Sequence, residues 1–375
     1  MDVRARVASS AADIAAADWN ACAGTGNPFA AHEFFLALEL SGSATARTGW
    51  QPAHLVIDGE DGRPAAIMPI YAKSHSQGEY VFDHAWADAF ERAGGRYYPK
   101  LQAATPFTPA TAPRLLLRDA ALAPALIGAA ETLCRQNDIS SVHATFLPAD
   151  QQATFAQAGW LLRTGEQFHW HNDGYRDFSD FLGALSSAKR KAIRKERDRA
   201  QAGLEIIHVT GAELTEAHWD AFWTFYQDTG ARKWGRPYLT RAFFSQIGET
   251  MGDRTLLMLA LRAGRPIAGA LNFIGDDCLF GRYWGATEDV PCLHFELCYY
   301  QAIEWAIANG RPRVEAGAQG AHKLARGYRP VPVVSAHYIP NAGFRSAIAD
   351  YLARETVAVI DEIEALDGHT PFRRG

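Results

Sequence analysis

Thr255-Leu-Leu-Met-Leu-Ala-Leu261, Gly264-Arg-Pro266, Ile267-Ala-Gly-Ala-Leu-Asn-Phe-Ile274, Gly275-Asp-Asp277 and Cys278-Leu-Phe-Gly-Arg-Tyr-Trp284 follow in close succession. Three apolar runs of strand length separated by two glycine-containing turns predict an antiparallel meander. Beyond it, Pro291 to Asn309 reads as a helix opened by proline and stopped by Gly310. Its apolar side chains, from Leu293 to Ile307, are too many for one stripe, so it must lie against a sheet with more chain over its other face. Arg313-Val-Glu-Ala316 then returns as a strand, and Gly317 to Gly327 is a polar loop rich in glycine.

The same order is met about 200 residues earlier. Ala53-His-Leu-Val-Ile57, the turn containing Gly62-Arg-Pro64, and Ala65-Ala-Ile-Met-Pro-Ile-Tyr71 predict a hairpin, and Gly78-Glu-Tyr-Val-Phe-Asp83 an aromatic strand after it. Tyr80 follows its proline by sixteen residues and Tyr283 by seventeen. Two copies of one α/β unit follow from that order, with segments 53–101 and 255–316 as equivalents. Between them the spacing predicts helices over 120–136 and 148–158, a strand at Ser141–Leu147 and another at Gln167–Asn172. A strongly basic helix over 188–202 precedes a strand at Leu204–Val209, two helices (218–228 and 238–250) lead to the meander, and an amphipathic helix over 344–366 closes the chain.

The chain has 375 residues, 48% of them hydrophobic, which is enough for two domains, each with its own core. A net charge of −5 argues against a global preference for nucleic acid, and no DNA partner is expected. Five scattered cysteines without a CxxC pair fit a reducing compartment, and the lack of an apolar leader or span predicts a cytoplasmic protein with at most peripheral membrane contact. His169-x-His171 lacks a third ligand at metal spacing, so no metal is expected. GxSxG, P-loop, dinucleotide and HExxH signatures are absent, which sets aside the enzyme classes they mark.

Three stretches carry candidate chemistry. Glu315, Gln319, His322, Lys323 and Arg326 crowd around glycines that let backbone N–H groups approach a ligand, near a helix bearing His294 and Glu296. Tyr80, Asp83, Asp88 and Lys100 lie in a mixed aromatic and charged segment suited to a substrate cleft. The basic helix, with Lys189, Arg190 and Arg194, and the cationic turn containing Arg232 suit phosphate groups of a nucleotide, coenzyme or tRNA acceptor end. Each also has a plain structural reading: a solvated loop, an interdomain polar network and an exposed helix.

Gly78-Glu-Tyr-Val-Phe-Asp83, Gly95-Arg-Tyr-Tyr-Pro-Lys-Leu101, Gln167-Phe-His-Trp170, Leu271-Asn-Phe-Ile274 and Gly317-Ala-Gln-Gly-Ala-His-Lys-Leu-Ala-Arg-Gly327 resemble a bacterial subgroup of predicted N-acyltransferases in the FemAB-like branch of the GNAT-like families, relatives of peptidoglycan aminoacyl transferases. Lys189-Arg-Lys-Ala-Ile-Arg-Lys195, and Thr229 with Arg232, resemble a basic helix and a threonine and arginine of the Fem transferases. The resemblance implies an α/β (α+β) fold of two tandem GNAT-like acyltransferase domains with mixed sheets flanked by helices, which we place at 1–180 and 181–375. It implies transfer of an acyl or aminoacyl group from an activated ester or thioester to a small-molecule or peptide amine. GNAT enzymes that use acetyl-CoA carry an R/QxxGxG/A turn before a helix. Arg282-Tyr-Trp-Gly285-Ala-Thr287 falls short of it and reads as strand, so acyl-CoA and aminoacyl-tRNA both stay open as donors.

Under that reading, backbone N–H groups near Tyr283 or in the Gly317–Gly320 loop hold the carbonyl, and Glu315 or His294 accepts the proton. Glu315 is expected opposite His294 on the helix. Tyr80, Asp83, Asp88, Lys100, Gln319, His322, Lys323 and Arg326 bind substrate, and Lys189, Arg190, Arg194 and Arg232 the donor's phosphates, in a cleft between or within the domains. The alternative is a non-catalytic protein that recognises a cell-wall precursor or peptide.

Overall fold

The computed structural model describes residues 4–233, 237–317 and 320–373, with backbone alone for residues 230–233 and 321. In chain order the elements are β1 (Ala5–Ala8), α1 (Ala16–Ala23), α2 (His32–Leu40), β2 (Trp50–Pro52), β3 (His54–Asp58), β4 (Pro64–Met68), β5 (Ile70–Lys73), α3 (His84–Arg92), β6 (Lys100–Ala103), β7 (Leu116–Leu117), α4 (Ala123–Gln136), β8 (Val142–Leu147), α5 (Ala149–Gln157) and β9 (Leu161–His171). They continue as α6 (Phe178–Ala184), α7 (Ser187–Gln201), β10 (Glu205–Thr210), α8 (Glu216–Lys233), α9 (Arg241–Met251), β11 (Thr255–Arg262), β12 (Arg265–Ile274), β13 (Cys278–Ala286), α10 (Leu293–Phe295), a π-turn (Glu296–Tyr300), α11 (Gln301–Ala308), β14 (Arg313–Glu315), β15 (Arg329–Tyr338) and α12 (Ala342–Asp367).

These elements pack as two compact units. The N-terminal unit is Met1–Gly165 with Pro332–Asp361, and the C-terminal unit is Glu166–Val331 with Glu362–Gly375. A single cut at residue 180 does not describe this packing, because the chain after Pro332 returns to pair with β8, Ala336 facing Ala144 and His337 facing His143.

In the N-terminal unit β1, β3, β4 and β7 form an antiparallel sheet. Pro69, which has no N–H to give a ladder, interrupts the strand, and β5 goes on into a second sheet in which it pairs with β6, and β6 runs parallel to β8. The order is therefore β1, β3, β4 with β5, β6, β8, β15. In the C-terminal unit the order is β10, β11, β12, β13, β14, β9, and here β13 and β14 are the parallel pair. One strand order occurs twice, each time with a hairpin followed by a parallel pair joined through a helix.

The repeat differs from the sequence reading in its third strand. Lys100–Ala103, not Gly78–Asp83, takes the place corresponding to β13, and the first copy extends to β8. Gly78 and Tyr80 both have positive φ, 78° and 60°, so the segment turns, and it sends Glu79 and Asp83 down to Lys100 instead of alternating as a strand. The helix after the meander begins at Leu293 because Cys292 is left-handed, with φ 67°, which leaves Pro291 outside it.

Leu55, Ile57, Leu126, Ile127 and Val142 centre the first core beneath α4. In the C-terminal unit Met258, Ala270, Leu279, Val314 and Trp170 pack with Leu297, Tyr300 and Ile303. On the other sheet face α8 lies so close to β13 that a Cβ on Gly285 would fall 2.1 Å from the Phe225 carbonyl oxygen; only glycine fits there. Among the described residues no helix is long and apolar enough to cross a membrane.

Candidate active site in the C-terminal unit

β13 and β14 pair at Cys278 with Arg313, Leu279 with Val314 and Phe280 with Glu315, and the pairing ends there. β13 runs on to Ala286 with β12 alone, so its other edge is released just past Glu315. At the point of parting the β12–β13 ladder is bulged: Leu271 faces Tyr283 and Asn272 faces Gly281, which leaves Arg282 as the extra residue. A bulge re-aims the side chains beyond it and raises local twist. The cleft that opens has about 390 Å³ of space, part of it open to solvent, with Asn272, Gly281, Arg282, Tyr283 and Trp284 on the strand side. His294, Cys298 and Tyr299 line it from α10 and the π-turn, and Ala316 from the end of β14. A second cleft of about 670 Å³ adjoins at Trp284 and His294 and is bordered by Thr229, Glu288 and Asp289.

His294 packs edge-on against Trp284 (ring centroids 5.3 Å) and Tyr299 (5.5 Å). The Tyr299 hydroxyl is 2.9 Å from His322 Nε2, which ties the helix to the loop after β14. Lys323 is 1% exposed and donates to the Gly317 carbonyl at 2.8 Å. Burial pushes its pKa down to about 7, so a substantial fraction of this amine is uncharged at neutral pH. Arg326 lies 3.5 Å over the Phe295 ring, donates to the His322 carbonyl and reaches Glu196 on α7, so it braces the loop.

Glu315 does not meet His294. Leu279, Val314 and Trp170 point to the helix side, so Phe280, Glu315 and His169, which alternate with them, point to the α8 side. Glu315 is 3% exposed, with His169 Nε2 at 3.9 Å and Arg313 Nη2 at 3.6 Å. Burial, with Arg313 nearby, holds His169 neutral, its pKa down to about 3. Tyr283 and His294 thus border the cleft, while Glu315 sits behind it. Gln319 and the Arg232 side chain lie outside the described residues. Lys189 and Arg194 are exposed on α7 and Arg190 is half-buried.

In the N-terminal unit Asp83 and Lys100 are buried and bonded to each other. Lys100 also donates to Glu79 (2.7 Å) and Ser76 (2.9 Å), and Tyr97 donates to Asp83 at 2.6 Å. Tyr80 is half-buried above this network, and Asp88 is exposed on α3. His143 and His337 join below, Nδ1 to Nδ1 at 2.7 Å, so one of the rings must donate and the other accept.

Reading the sequence did not reveal Asn272, Arg282, Trp284, Cys298 or Tyr299 as cleft residues. The bulge and the π-turn that aim them leave no periodicity to follow, although Arg282-Tyr-Trp284 at the end of an otherwise apolar strand was a usable signal.

The sequence matches the FemAB-like family, described as peptidoglycan biosynthesis/recognition, over residues 10–374. No curated protein matches it significantly. Among solved structures, that of FemX is 11% identical with a TM-score of 0.56, covering 90% of this chain and 98% of the other. The C-terminal domain of a putative lysylphosphatidylglycerol synthetase from Agrobacterium fabrum is 13% identical with a TM-score of 0.54 (92% and 96% covered). L-PGS from Bacillus licheniformis is 12% identical with a TM-score of 0.50 (93% and 98% covered). At such identities the likeness is one of fold, a mixed α/β fold, and with the match across nearly its whole length the chain belongs to the FemAB-like family.

Proposed function

We propose that the protein transfers an acyl or aminoacyl group from an activated ester or thioester to an amine, in the cleft of the C-terminal unit. The observation that carries this is the parting of β13 from β14, which leaves backbone N–H groups of the 283–285 segment beside a cleft whose opposite wall holds His294. The acceptor nitrogen attacks the donor carbonyl carbon, a C–N bond forms and the carrier's C–O or C–S bond breaks. Fixed N–H groups stabilise the oxyanion. His294 takes the amine proton directly or through water, and the departing oxygen or sulfur is protonated in turn. Glu315, behind the cleft, is the alternative proton acceptor. His322 and Lys323 bind substrate from the loop, and Lys189, Arg190 and Arg194 bind the donor's phosphates.

The family description supports a cell-wall precursor or peptide as acceptor, and the neighbour named a putative lysylphosphatidylglycerol synthetase supports an aminoacyl donor. Acyl-CoA and aminoacyl-tRNA are both cytoplasmic donors, and we place the reaction there. In the N-terminal unit we assign Asp83 and Lys100 to holding the turn that carries Tyr80, and we keep Tyr80 and Asp88 as substrate-binding residues of that unit. We propose that each unit is a GNAT-like domain, of which only the second works on the donor.

The test is to incubate the protein with acyl-CoA and aminoacyl-tRNA donors and a panel of amines, including muropeptides, and to look for product by mass spectrometry. His294→Asn should lower kcat by about 100-fold. A folded variant at full turnover contradicts the role given to His294. The family description also names recognition: precursor binding with no enzyme-dependent product identifies a binder.

A further inference from the structure

We propose that Arg197 is a positioning residue for this cleft, acting through the buried carboxylate of Glu296. The wall of the cleft opposite β13 is one helical stretch in which five residues, Glu296 to Tyr300, form a π-turn between α10 and α11. A π-turn is rare, occurs mostly as a single turn inside an α-helix and is frequent at functional sites, where it turns the following side chains to a new bearing. Here it delivers Cys298 and Tyr299 to the cleft alongside His294.

What keeps the turn wide is visible at its first residue. Glu296 is fully buried, and its carboxylate accepts from Gln301 Nε2 at 2.7 Å, five residues on. In a regular α-helix, at about 100° per residue, side chains five apart diverge, so this bond belongs to the i to i+5 geometry of the π-turn. The same carboxylate accepts from Arg197 Nη2 (2.9 Å), Arg197 Nε (3.1 Å) and Gln201 (2.9 Å), all from α7. Arg197 Nη2 also reaches Glu304 on α11 at 2.6 Å, so one guanidinium grips the helix on both sides of the π-turn. It is held in place over the Phe178 ring, 4.4 Å from the centroid. One residue earlier on α7, Glu196 bonds the Tyr300 hydroxyl and Arg326. The inner face of α7 is thus a clamp on the cleft wall, while its outer face carries the exposed cations.

A buried ion pair of this kind gives little net stability, since desolvation offsets most of the attraction. Its value lies in register: a planar fork fits two carboxylates at set positions, and a lysine cannot reproduce it. The kinetic consequence rests on the transferase reading above, but the geometric one does not.

The experiment uses the full chain with Arg197→Lys, and Glu304→Gln as a milder variant that leaves Glu296 paired. Folding is checked by thermal unfolding, and the rate of Cys298 alkylation by iodoacetamide is followed by peptide mass spectrometry. Arg197→Lys is expected to change that rate at least about threefold, because exposure and thiolate character both depend on where the π-turn points Cys298. It is expected to lower kcat about tenfold or more with little change in donor KM, as misplacement by about an ångström does; Glu304→Gln should shift both in the same direction by less. Wild-type alkylation and kcat in folded Arg197→Lys overturn the proposal. If that variant does not fold, wild-type values in Glu304→Gln overturn it. A shifted alkylation rate in a protein that shows no transfer with any donor leaves the positioning role standing and removes the transferase reading instead.

Discussion

In both units a parallel pair of strands parts after a few residues, and the two units use that parting differently. In the C-terminal unit the gap beyond Phe280 and Glu315 is a cleft lined by His294, Cys298 and Tyr299. In the N-terminal unit β6 and β8 pair through Ala103 and Ala144, and just beyond them the fully buried Arg114 bridges the two chains. Its Nε donates to the Thr145 carbonyl at 2.7 Å, Nη1 to Thr105 Oγ1 at 3.0 Å and Nη2 to the Ala110 carbonyl at 3.3 Å. With no carboxylate in its hydrogen-bond shell, burial alone pushes its pKa down to about 9. The same strand order therefore yields an open site once and a plugged one once, and the choice lies with the segment that follows the strand, not with the sheet.

The contrast reaches the face behind each pair. Across the first sheet Gln102, His143 and His337 lie side by side, and across the second Phe280, Glu315 and His169. Glu315 thus holds the place of a buried histidine in the other unit, which is why we give the cleft's proton to His294 first.

The largest effect is expected at the plug. Arg114→Met removes three hydrogen bonds and strands two buried carbonyls, and should destabilise the protein by about 2 to 3 kcal/mol, partly offset by relief of a desolvated charge. Urea unfolding measures this, and turnover per folded molecule should stay within about twofold of wild type. A loss of turnover as large as at His294 would erase the difference between the units.

Acid should act next, on both units. Burial holds His143 neutral, its pKa down to about 3, and holds that of His337 well below the usual imidazole range, with Lys100 and Arg163 opposing protonation and Asp83 favouring it. Histidines that protonate only after unfolding make the unfolded state bind more protons, so stability is full above about pH 6.5 and falls as pH drops toward 3, by up to about 1.4 kcal/mol per unit for each. Glu79, raised to about 7 by burial, works the other way: it holds a proton in the fold, so its contribution falls as pH rises from 4.5 to 7. Two histidines outweigh it, and the N-terminal unit should lose hydrogen-exchange protection between pH 6 and 4, as should the C-terminal unit through His169, whose pKa burial also takes down to about 3. His143→Gln should flatten the dependence, and an unchanged slope would show that the pair is not what acid attacks.

A smaller effect belongs to α7. Replacing Lys189, Arg190 and Arg194 with alanine should reduce the slope of log affinity against log salt for a polyphosphate donor by about 0.7 to 0.9 per lost phosphate contact. An unchanged slope returns that face to an ordinary solvated helix.

Much of this was legible in the residues, and the rest was not for definable reasons. The hairpins around Gly62-Arg-Pro64 and Gly264-Arg-Pro266, the buried helix after the meander and the basic α7 all follow from apolar spacing and turn residues. Gly78–Asp83 misled because its aromatic residues imitate a strand, while its acids are spent on Lys100, a long-range partner that no local pattern shows. The face that Glu315 occupies depends on which side the helix covers. The bulge at Arg282 and the π-turn at Glu296 each add one residue to a regular period, and they do so where the cleft is made.

The central claim is that chemistry occupies the open parting and not the plugged one. Gly281 stands where β13 leaves β14, and a Cβ there would meet nothing nearer than 3.4 Å, so Gly281→Leu should fold and fill the cleft. The account predicts that this variant, assayed for product by mass spectrometry beside wild type and Arg114→Met, loses turnover by about 100-fold or more because the donor carbonyl can no longer reach the strand's N–H groups. Product at the wild-type rate from folded Gly281→Leu would contradict it.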